Sequence, residues 1–565
     1  MARPPLPALV AAATAAALVA AACSGGPAGS SGGDGTRLPA AEASSTGSAS
    51  ARADATGDAD EADQADQADD GTDTADLPAS LTGQTLDWSP CPPPRPEQGD
   101  DESTPPPLTE DVPWECADMT APLDYAEPEG DTIEIALIRA RTEAEGERRL
   151  GSLVFNFGGP GGSGVATLPV FAEEYGRLHE RYDLVSFDPR GVGASEGLVC
   201  YDDERLDAYF AALAVPRTAE QRQRFTDRLG SFAAACEDRA GPLLPHLTTA
   251  NTARDLDLMR EVLGDDVLHY FGVSYGTQLG GVYAHLFPER VGRAVLDAVV
   301  DPTLTPEQSA RGQAEGFQHA LETYLEHCAG EDDCPLGDDA DEATDRLGEL
   351  LARLRAEPLR TEDPDGRRLT ESLAWNGIAQ SLYSQDFWSY LTQGLDDALA
   401  EEGADGTVLL ALGDAMNGRN PDGTYTTLQA SLTAISCADA RQRYTERDVR
   451  RLLDDFSDSS PVFGPPLAWG LLGCSQWPVR GSSRDTDVGA EGAAPILLIG
   501  TTGDPATPYE GTRRMKEALG DDVAVELTYD GEGHGAYTSG NACVRDTADA
   551  YLLEGRVPED GSSCG

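Results

Sequence analysis

The sequence predicts an α/β fold: a mostly parallel sheet with helices on both faces and an inserted helical cap. The first observation is that short β-branched runs, each ending at a Gly, Asp or Pro turn, alternate with helical patterns. The second is that residues 301–435 hold helix-like segments with no clear strand. At 565 residues, the chain is long enough for one catalytic domain that carries such an insertion.

Seven runs are predicted to be strands of this sheet, at 132–138, 151–157, 182–187, 267–271, 293–300, 494–500 and 523–529. Helices are predicted at 277–287 and 509–519 beside the sheet and at 308–328 and 341–355 in the cap. The catalytic domain is therefore expected to comprise 81–300 and 436–565, one part on each side of the cap.

The first 80 residues are predicted to serve export rather than folding. Residues 1–22 hold one arginine and then an apolar Ala, Leu and Val run, which is typical of a signal peptide. Residues 23–80 hold almost no large apolar side chains and predict a disordered acidic tether. The run before Cys23 resembles a bacterial lipoprotein cleavage site, but Ala20 departs from the usual leucine, so secretion without a lipid remains open. We expect an extracellular protein that is anchored only through lipidated Cys23, or else secreted.

Cysteine usage predicts disulfides in an oxidising compartment. If Cys23 carries the lipid, ten of the eleven cysteines remain for five bridges. Nearness in sequence suggests the pairs Cys91 with Cys116, Cys200 with Cys236, Cys328 with Cys334, Cys437 with Cys474, and Cys543 with Cys564. Connectivity does not follow from sequence alone.

Charge and composition exclude several functions. A net charge of −58 argues against a nucleic-acid partner, since phosphates would be repelled. The acidity is interpreted as serving solubility, although it could also attract substrates with a free amine. Lys516 is the only lysine, which leaves almost no residue for Ser/Lys or Schiff-base chemistry. No metal or other cofactor is expected, because no histidine or cysteine spacing matches a zinc site and the acidic run 331–345 lacks a calcium-liganding order.

The candidate nucleophile is Ser274, within Gly-Val-Ser-Tyr-Gly at 272–276. The motif follows a predicted strand and precedes a helix, as in a nucleophile elbow, where the flanking glycines permit a tight turn that lifts the hydroxyl out of the sheet. Gly-Ala-Ser-Glu-Gly at 193–197 matches the same pattern, but no well-formed helix begins directly after it. Ser195 is therefore interpreted as structural.

A serine nucleophile needs a base and an acid that orients the base. Asp504 follows an apolar strand, and His534 lies in a glycine-rich loop after the next strand. The order Ser, Asp, His is that of the α/β-hydrolase fold. Asp297 and Asp301 remain rivals for the acid, because they flank an earlier strand end.

The glycine-rich loop at 158–164 follows the strand that ends at Phe157. Such a loop can bring backbone N–H groups against a developing oxyanion, because no side chains block the approach. Pro160 has no N–H, so Gly159 is the candidate donor together with Tyr275. A phosphate-binding loop is excluded, because the run lacks the Gly-Lys-Ser/Thr ending.

These motifs together resemble the tripeptidyl aminopeptidase and prolyl iminopeptidase branch of serine α/β-hydrolases. The resemblance rests on Gly-Gly-Pro-Gly-Gly at 158–162, Asp-Pro-Arg-Gly-Val-Gly at 188–193, the elbow at 272–276, Gly-Asp-Pro-Ala-Thr-Pro at 503–508 and Gly-His-Gly at 533–535. Relatives have histidine or proline where Phe157 stands, so the S1 wall or the support of the loop is expected to differ.

The resemblance implies an exported serine peptidase that releases short peptides, tripeptides among them, from a free amino terminus by acyl transfer. The expected partners are therefore peptides with a free N-terminus, and the chain is expected to be a monomer. Two alternatives remain: a carboxylesterase with the same three residues, because the fold does not fix the scissile bond, and a non-catalytic surface lipoprotein descended from a hydrolase.

Overall fold

The structure, a computed structural model, describes residues 77–99, 104–109, 112–331, 334–481 and 487–565. The predicted signal peptide, Cys23 and the tether up to residue 76 lie outside the described residues. Residues 77–80, which the sequence assigned to the tether, belong to the folded part, because Leu77 is buried in the core and the first helix begins at Ala79. In the described ranges, no helix combines the length and apolar character needed to cross a membrane.

In the described part of the chain, the sheet has ten strands in the order β1-β2-β3-β5-β4-β6-β7-β8-β9-β10. Their bounds are β1 Ser89–Pro90, β2 Glu115–Pro122, β3 Thr132–Ala140, β4 Gly151–Asn156, β5 Tyr182–Phe187, β6 Leu268–Val273, β7 Val291–Asp297, β8 Ile496–Gly503, β9 Ala524–Glu532 and β10 Ser562–Cys564. The pairs β1–β2, β2–β3 and β3–β5 are antiparallel, and the remaining pairs of neighbouring strands, from β5–β4 to β9–β10, are parallel. All seven predicted strands are present. The strands β1 and β10 form the two edges of the sheet and β2 lies beside β1, and their short or small-residue sequences gave no signal.

Helices cover both faces of the sheet and build the cap. Their bounds are α1 Ala79–Thr82, α2 Gly164–Phe171, α3 Gly176–His179, α4 Asp203–Ala211, α5 Ala219–Ala240, α6 Thr249–Leu263, α7 Tyr275–Leu286, α8 Pro306–Ala329, α9 Ala340–Ala356, α10 Glu371–Leu382, α11 Trp388–Leu399, α12 Thr407–Asn417, α13 Leu428–Asp439, α14 Glu446–Ser459, α15 Gly464–Gly470, α16 Glu510–Leu519 and α17 Ala542–Glu554.

Neighbouring residues of the central strands enter opposite cores, because strand side chains alternate between the faces of a sheet. Tyr270 and Leu296 pack under α6, α7 and α16, whereas Phe271 and Val295 pack against α2, α3 and α17. Burial on both faces explains why these strands read as continuous apolar runs.

The cap is larger than the sequence predicts. The sheet resumes only at Ile496, and α14 and α15, beyond the predicted limit of 435, belong to the cap core through Phe456 and Trp469. Phe225 of α5, from the segment assigned to the first part of the catalytic domain, joins the same cap core. Helical periodicity in the sequence indicates that these segments are helices. It does not indicate whether a helix packs in the cap or against the sheet, because that depends on contacts with residues far away in the sequence.

Within the described residues, five disulfides join the pairs that nearness in sequence suggested. Cys437–Cys474 ties the end of α13 to the segment after α15 across 37 positions, whereas Cys328–Cys334 spans only 6. The first bridge therefore restrains a much longer loop of the unfolded chain.

Replacing Cys437 and Cys474 together by serine should lower the free energy of unfolding by about 4 kcal/mol, because a longer closed loop removes more unfolded-state entropy. Replacing Cys328 and Cys334 should cost only about 2 kcal/mol. Urea unfolding followed by circular dichroism measures both changes. Equal losses in the two double variants would contradict the loop-length argument.

Candidate active site

Ser274 stands between β6 and α7 in a strained backbone conformation. Its φ is 58° and its ψ is −125°, a region that residues with a side chain rarely adopt. A Cβ on Gly272 would lie 2.3 Å from the carbonyl oxygen of Gly276, and one on Gly276 would lie 2.4 Å from that of Asn156. Only glycine fits on both sides, so the local geometry is that of the predicted elbow.

His534 is held from three directions. Its Nδ1 lies 2.9 Å from Oδ1 and 3.0 Å from Oδ2 of Asp504, and its backbone N–H donates to the carbonyl of Tyr383 at 2.8 Å. The Tyr383 ring meets the imidazole edge to face, with centroids 5.2 Å apart. Nε2 is buried and has no hydrogen-bond partner in the described part of the chain. That nitrogen is therefore free to take a proton.

Asp504 is a well-supported carboxylate. Its oxygens accept hydrogen bonds at 2.9 Å from the backbone amides of Ala506 and Thr507 and from the Thr507 hydroxyl. These donors come from the turn after β8, so the turn holds the carboxylate in place independently of its contact with His534. The arrangement sets the His534 tautomer with a proton on Nδ1.

The pKa of His534 reflects opposing effects. Burial acts to lower it, but the charge of Asp504, its hydrogen bond and the more distant charge of Asp297 outweigh burial and raise the pKa above its ordinary value. The imidazole is consequently a stronger base than an exposed histidine.

The glycine loop runs directly beside Ser274. A Cβ on Gly158 would lie 2.9 Å from the Cβ of Ser274 and 3.2 Å from the amide nitrogen of Tyr275. Gly158 and Gly159 have φ of 94° and 125°, which glycine adopts readily. Phe157 stacks on Phe155 and Phe171, so it supports the loop from the sheet side.

Tyr275 is anchored at its far end by residues that the sequence did not reveal. Its hydroxyl lies 2.6 Å from Thr249 Oγ1, which donates to Asp439 at 2.6 Å. Asp439 ends α13, and the start of the same helix meets the glycine loop, where a Cβ on Gly161 would lie 2.6 Å from the carbonyl oxygen of Leu428. One cap helix thus reaches the glycine loop at Gly161 and, through Thr249, the hydroxyl end of Tyr275. Nothing in the sequence links residues so far apart.

The chain matches the family model described as alpha/beta hydrolase fold over residues 151–409 and the one described as TAP-like protein over residues 460–564. Among curated relatives, it is 35% identical to serine protease Hip1 of Mycobacterium tuberculosis over 85% of this chain and 91% of that protein. It is 33% identical to the tripeptidyl aminopeptidase of Streptomyces lividans, over 80% and 84% of the two chains. Carboxylesterase B of Mycobacterium tuberculosis is 36% identical, over 80% and 86%.

The chain belongs to the tripeptidyl aminopeptidase branch of the serine α/β-hydrolases. The predicted family and fold are thereby confirmed, and the protein is a serine hydrolase. Neither identity nor coverage separates a peptidase from an esterase.

In this serine hydrolase the rival residues have other contacts. Ser195 is fully buried; its Oγ accepts from the amide of Ala136 at 2.8 Å and donates to the carbonyl of Asp188 at 2.7 Å. Asp301 accepts hydrogen bonds from the amide and hydroxyl of Thr303. Within the described ranges, no group of three or more His, Cys, Asp or Glu residues is arranged to hold a metal ion.

Asp297 joins the nucleophile of this serine hydrolase to its histidine loop. Its carbonyl accepts from the amide of Ser274 at 3.0 Å, and its carboxylate accepts from the amides of Ala536 and Tyr537 at 2.9 Å each. Burial, only partly offset by these amides and by the charge of His534, raises the pKa of Asp297 to about 6. Asp297 is thus not bonded to the imidazole but positions the loop that carries it.

Asp297→Asn should lower kcat/KM by about 10–100-fold with little change in KM, because one amide of the histidine loop would face an NH₂ group and the ring would shift. Steady-state kinetics on a tripeptidyl amide, with circular dichroism as a folding check, measures the change. Asp301→Asn is the matched control and should leave kcat/KM within about twofold, since among the described residues its carboxylate accepts hydrogen bonds from Thr303 alone. Full activity of Asp297→Asn would show that the loop holds its place without this bridge.

Proposed function

We propose that the protein is an exported serine peptidase that removes short peptides, tripeptides among them, from a free amino terminus. The single observation that carries this proposal is His534, bonded to Asp504 through Nδ1 and without a partner on Nε2 among the described residues, on a loop that Asp297 joins to the strained Ser274. This constellation is the one that acyl transfer requires.

In the proposed mechanism, His534 Nε2 takes the proton of Ser274 Oγ as the hydroxyl attacks the scissile carbonyl. The backbone amides of Gly159 and Tyr275 donate to the oxyanion, and Asp504 stabilises the imidazolium that forms. His534 then returns the proton to the leaving amine. Water, deprotonated by the same imidazole, releases the acyl group from Ser274. No hydrogen bond joins Ser274 Oγ to His534 among the described residues, and such bonds commonly form only once substrate is bound.

Support for an exopeptidase comes from the cap and the relatives. The cap helices stand over the carboxyl ends of the strands, with Tyr383 after α10 against His534 and α13 against the glycine loop. Such a cover favours substrates that enter by one end. Two relatives carry the names serine protease and tripeptidyl aminopeptidase.

The export proposal includes a signal peptide at 1–22 and a lipid on Cys23, with the tether holding the enzyme away from the membrane. The many acidic residues keep such a protein soluble, and they would also attract peptides with a free amine. The second candidate function is a carboxylesterase with the same three residues, which the relative named carboxylesterase B favours.

Ser274→Ala should lower turnover by about 10⁵–10⁶-fold, because the nucleophile is lost. The assay uses a tripeptidyl amide reporter with a free amino terminus, its N-blocked twin and an aryl ester, with wild type and variant in parallel. Cleavage of the free-amine reporter alone supports the aminopeptidase. Cleavage of the ester alone would move the enzyme to the esterases, and unchanged activity in Ser274→Ala would remove the serine from the mechanism.

Activity should fall as the pH drops through the pKa of His534, since only the neutral imidazole can act as base. Because that pKa is raised above 6.5, the acid limb of kcat/KM should have its midpoint above 6.5. In Asp504→Asn the limb should move to lower pH and the rate should fall by about 10⁴-fold. An acid limb that stays in place in Asp504→Asn would assign the pH dependence to another group.

A further inference from the structure

A cavity of about 240 Å³ lies beneath the cap helices, and one of its lining residues, Gln313, donates to the carbonyl of Ala506 in the turn of Asp504. We call it the cap cavity; its walls come from α4, α5, α8, α13, α15 and the segment after α15, and its lining includes Tyr209, Phe225, Arg228, Ala310, Leu432 and Trp469. Neither Ser274, Asp504, His534 nor Gly159 lines it.

Among the described residues of this lining, Arg228 alone is charged. Its guanidinium lies 4.9 Å from the ring centroid of Phe225 and 5.2 Å from that of Tyr209, and Nη2 donates to the carbonyl of Leu213 at 3.2 Å. Two aromatic rings and one carbonyl therefore hold the group in place. Within the described ranges Arg228 forms no salt bridge, and its Nε is buried without a partner.

An arginine without a carboxylate is unexpected in this protein. The chain has 99 acidic and 41 basic residues, and neighbours on the same helix have partners: Arg222 pairs with Glu446 and Arg224 with Glu220. Burial lowers the pKa of Arg228, because no negative charge compensates for lost hydration. The indole Nε1 of Trp469, also in the lining, is buried without an acceptor among the described residues. The cavity thus has donors and no carboxylate.

We propose that the cap cavity binds a monocarboxylate with an apolar tail, its carboxylate on Arg228 and its tail among the aromatic side chains. Charge complementarity selects the head group, because arginine binds carboxylates through two parallel N–H groups. The volume sets the tail: a dry cavity of about 150 Å³ takes a benzene ring, so the cap cavity holds one ring or a medium-length chain beside the carboxylate.

Two helices connect the cap cavity with the proposed catalytic centre: α8, whose Gln313 donates to the carbonyl of Ala506 in the turn of Asp504, and α13. Gln429, Leu432 and Thr433 of α13 line the cavity, whereas Leu428 of the same helix meets the glycine loop at Gly161. Binding in the cap cavity therefore requires neither Ser274 nor any hydrolytic activity, and it is tested without turnover.

The test is a calorimetric titration of the Ser274→Ala chain with octanoate and with octan-1-ol, its neutral twin. Octanoate should bind at least about tenfold more tightly, because only the carboxylate forms charge-assisted hydrogen bonds. Arg228→Met should weaken the binding of octanoate by at least about tenfold and leave the affinity for octanol unchanged. Arg224→Met, on the exposed face of the same helix, is the matched control and should leave both ligands unchanged.

Ala310→Phe fills the cavity from α8 and should abolish the binding of both octanoate and octanol. It provides a second variant if Arg228→Met fails to fold. Circular dichroism identifies a folding failure. Equal affinities for octanoate and octanol, no binding of octanoate, or unchanged octanoate affinity in folded Arg228→Met or Ala310→Phe would each overturn the proposal.

Discussion

The pairing of β7 with β8 is the constraint on which the rest of the site depends. These strands are neighbours in the sheet, in register from Ala294 opposite Ile496 to Asp297 opposite Ile499, although the whole cap separates them in the chain. The pairing brings the turn of Asp504 and the loop of His534 to the side of the sheet where Ser274 lies, at the carboxyl ends of the parallel strands. Because parallel strands present their carboxyl ends on one side, three remote segments meet there. Asp297 connects two of these segments, because its carbonyl accepts a hydrogen bond from the elbow and its carboxylate accepts from the histidine loop.

Backbone shape and charge support each other at this edge. The strained Ser274 persists because Gly272 and Gly276 allow close backbone approach and the carbonyl of Asp297 holds the serine amide. Around His534, two carboxylates differ in role because their partners differ. Asp504 contacts the ring, whereas Asp297 is satisfied by backbone amides and carries a raised pKa. A histidine between them gains basicity without losing its fixed orientation.

The cap covers the candidate active site, supports the glycine loop and forms walls of the cap cavity. Most of the cap's apolar residues form a core of their own, but α13 also packs against the sheet through Ala434 and Ile435. Through α13 the cap reaches the glycine loop and Tyr275 on one side and lines the cap cavity on the other. In a strongly acidic protein, Arg228, a cation, is the one charged side chain among the described residues that line that cavity, so the cavity and the proposed catalytic centre differ in ligand chemistry.

The sequence alone determined the α/β layers, the seven main strands, the elbow and the candidate Ser274, Asp504 and His534, because periodicity and short glycine motifs are local signals. Nearness in sequence also suggested the five cysteine pairs that the structure contains. Only the tertiary structure decided where the cap ends, that Asp297 bridges the elbow and the histidine loop, and that Arg228 faces an apolar cavity. Those features join residues hundreds of positions apart, as Asp297 and Ala536 show. They are set by strand order and packing, which leave no short-range pattern in the chain.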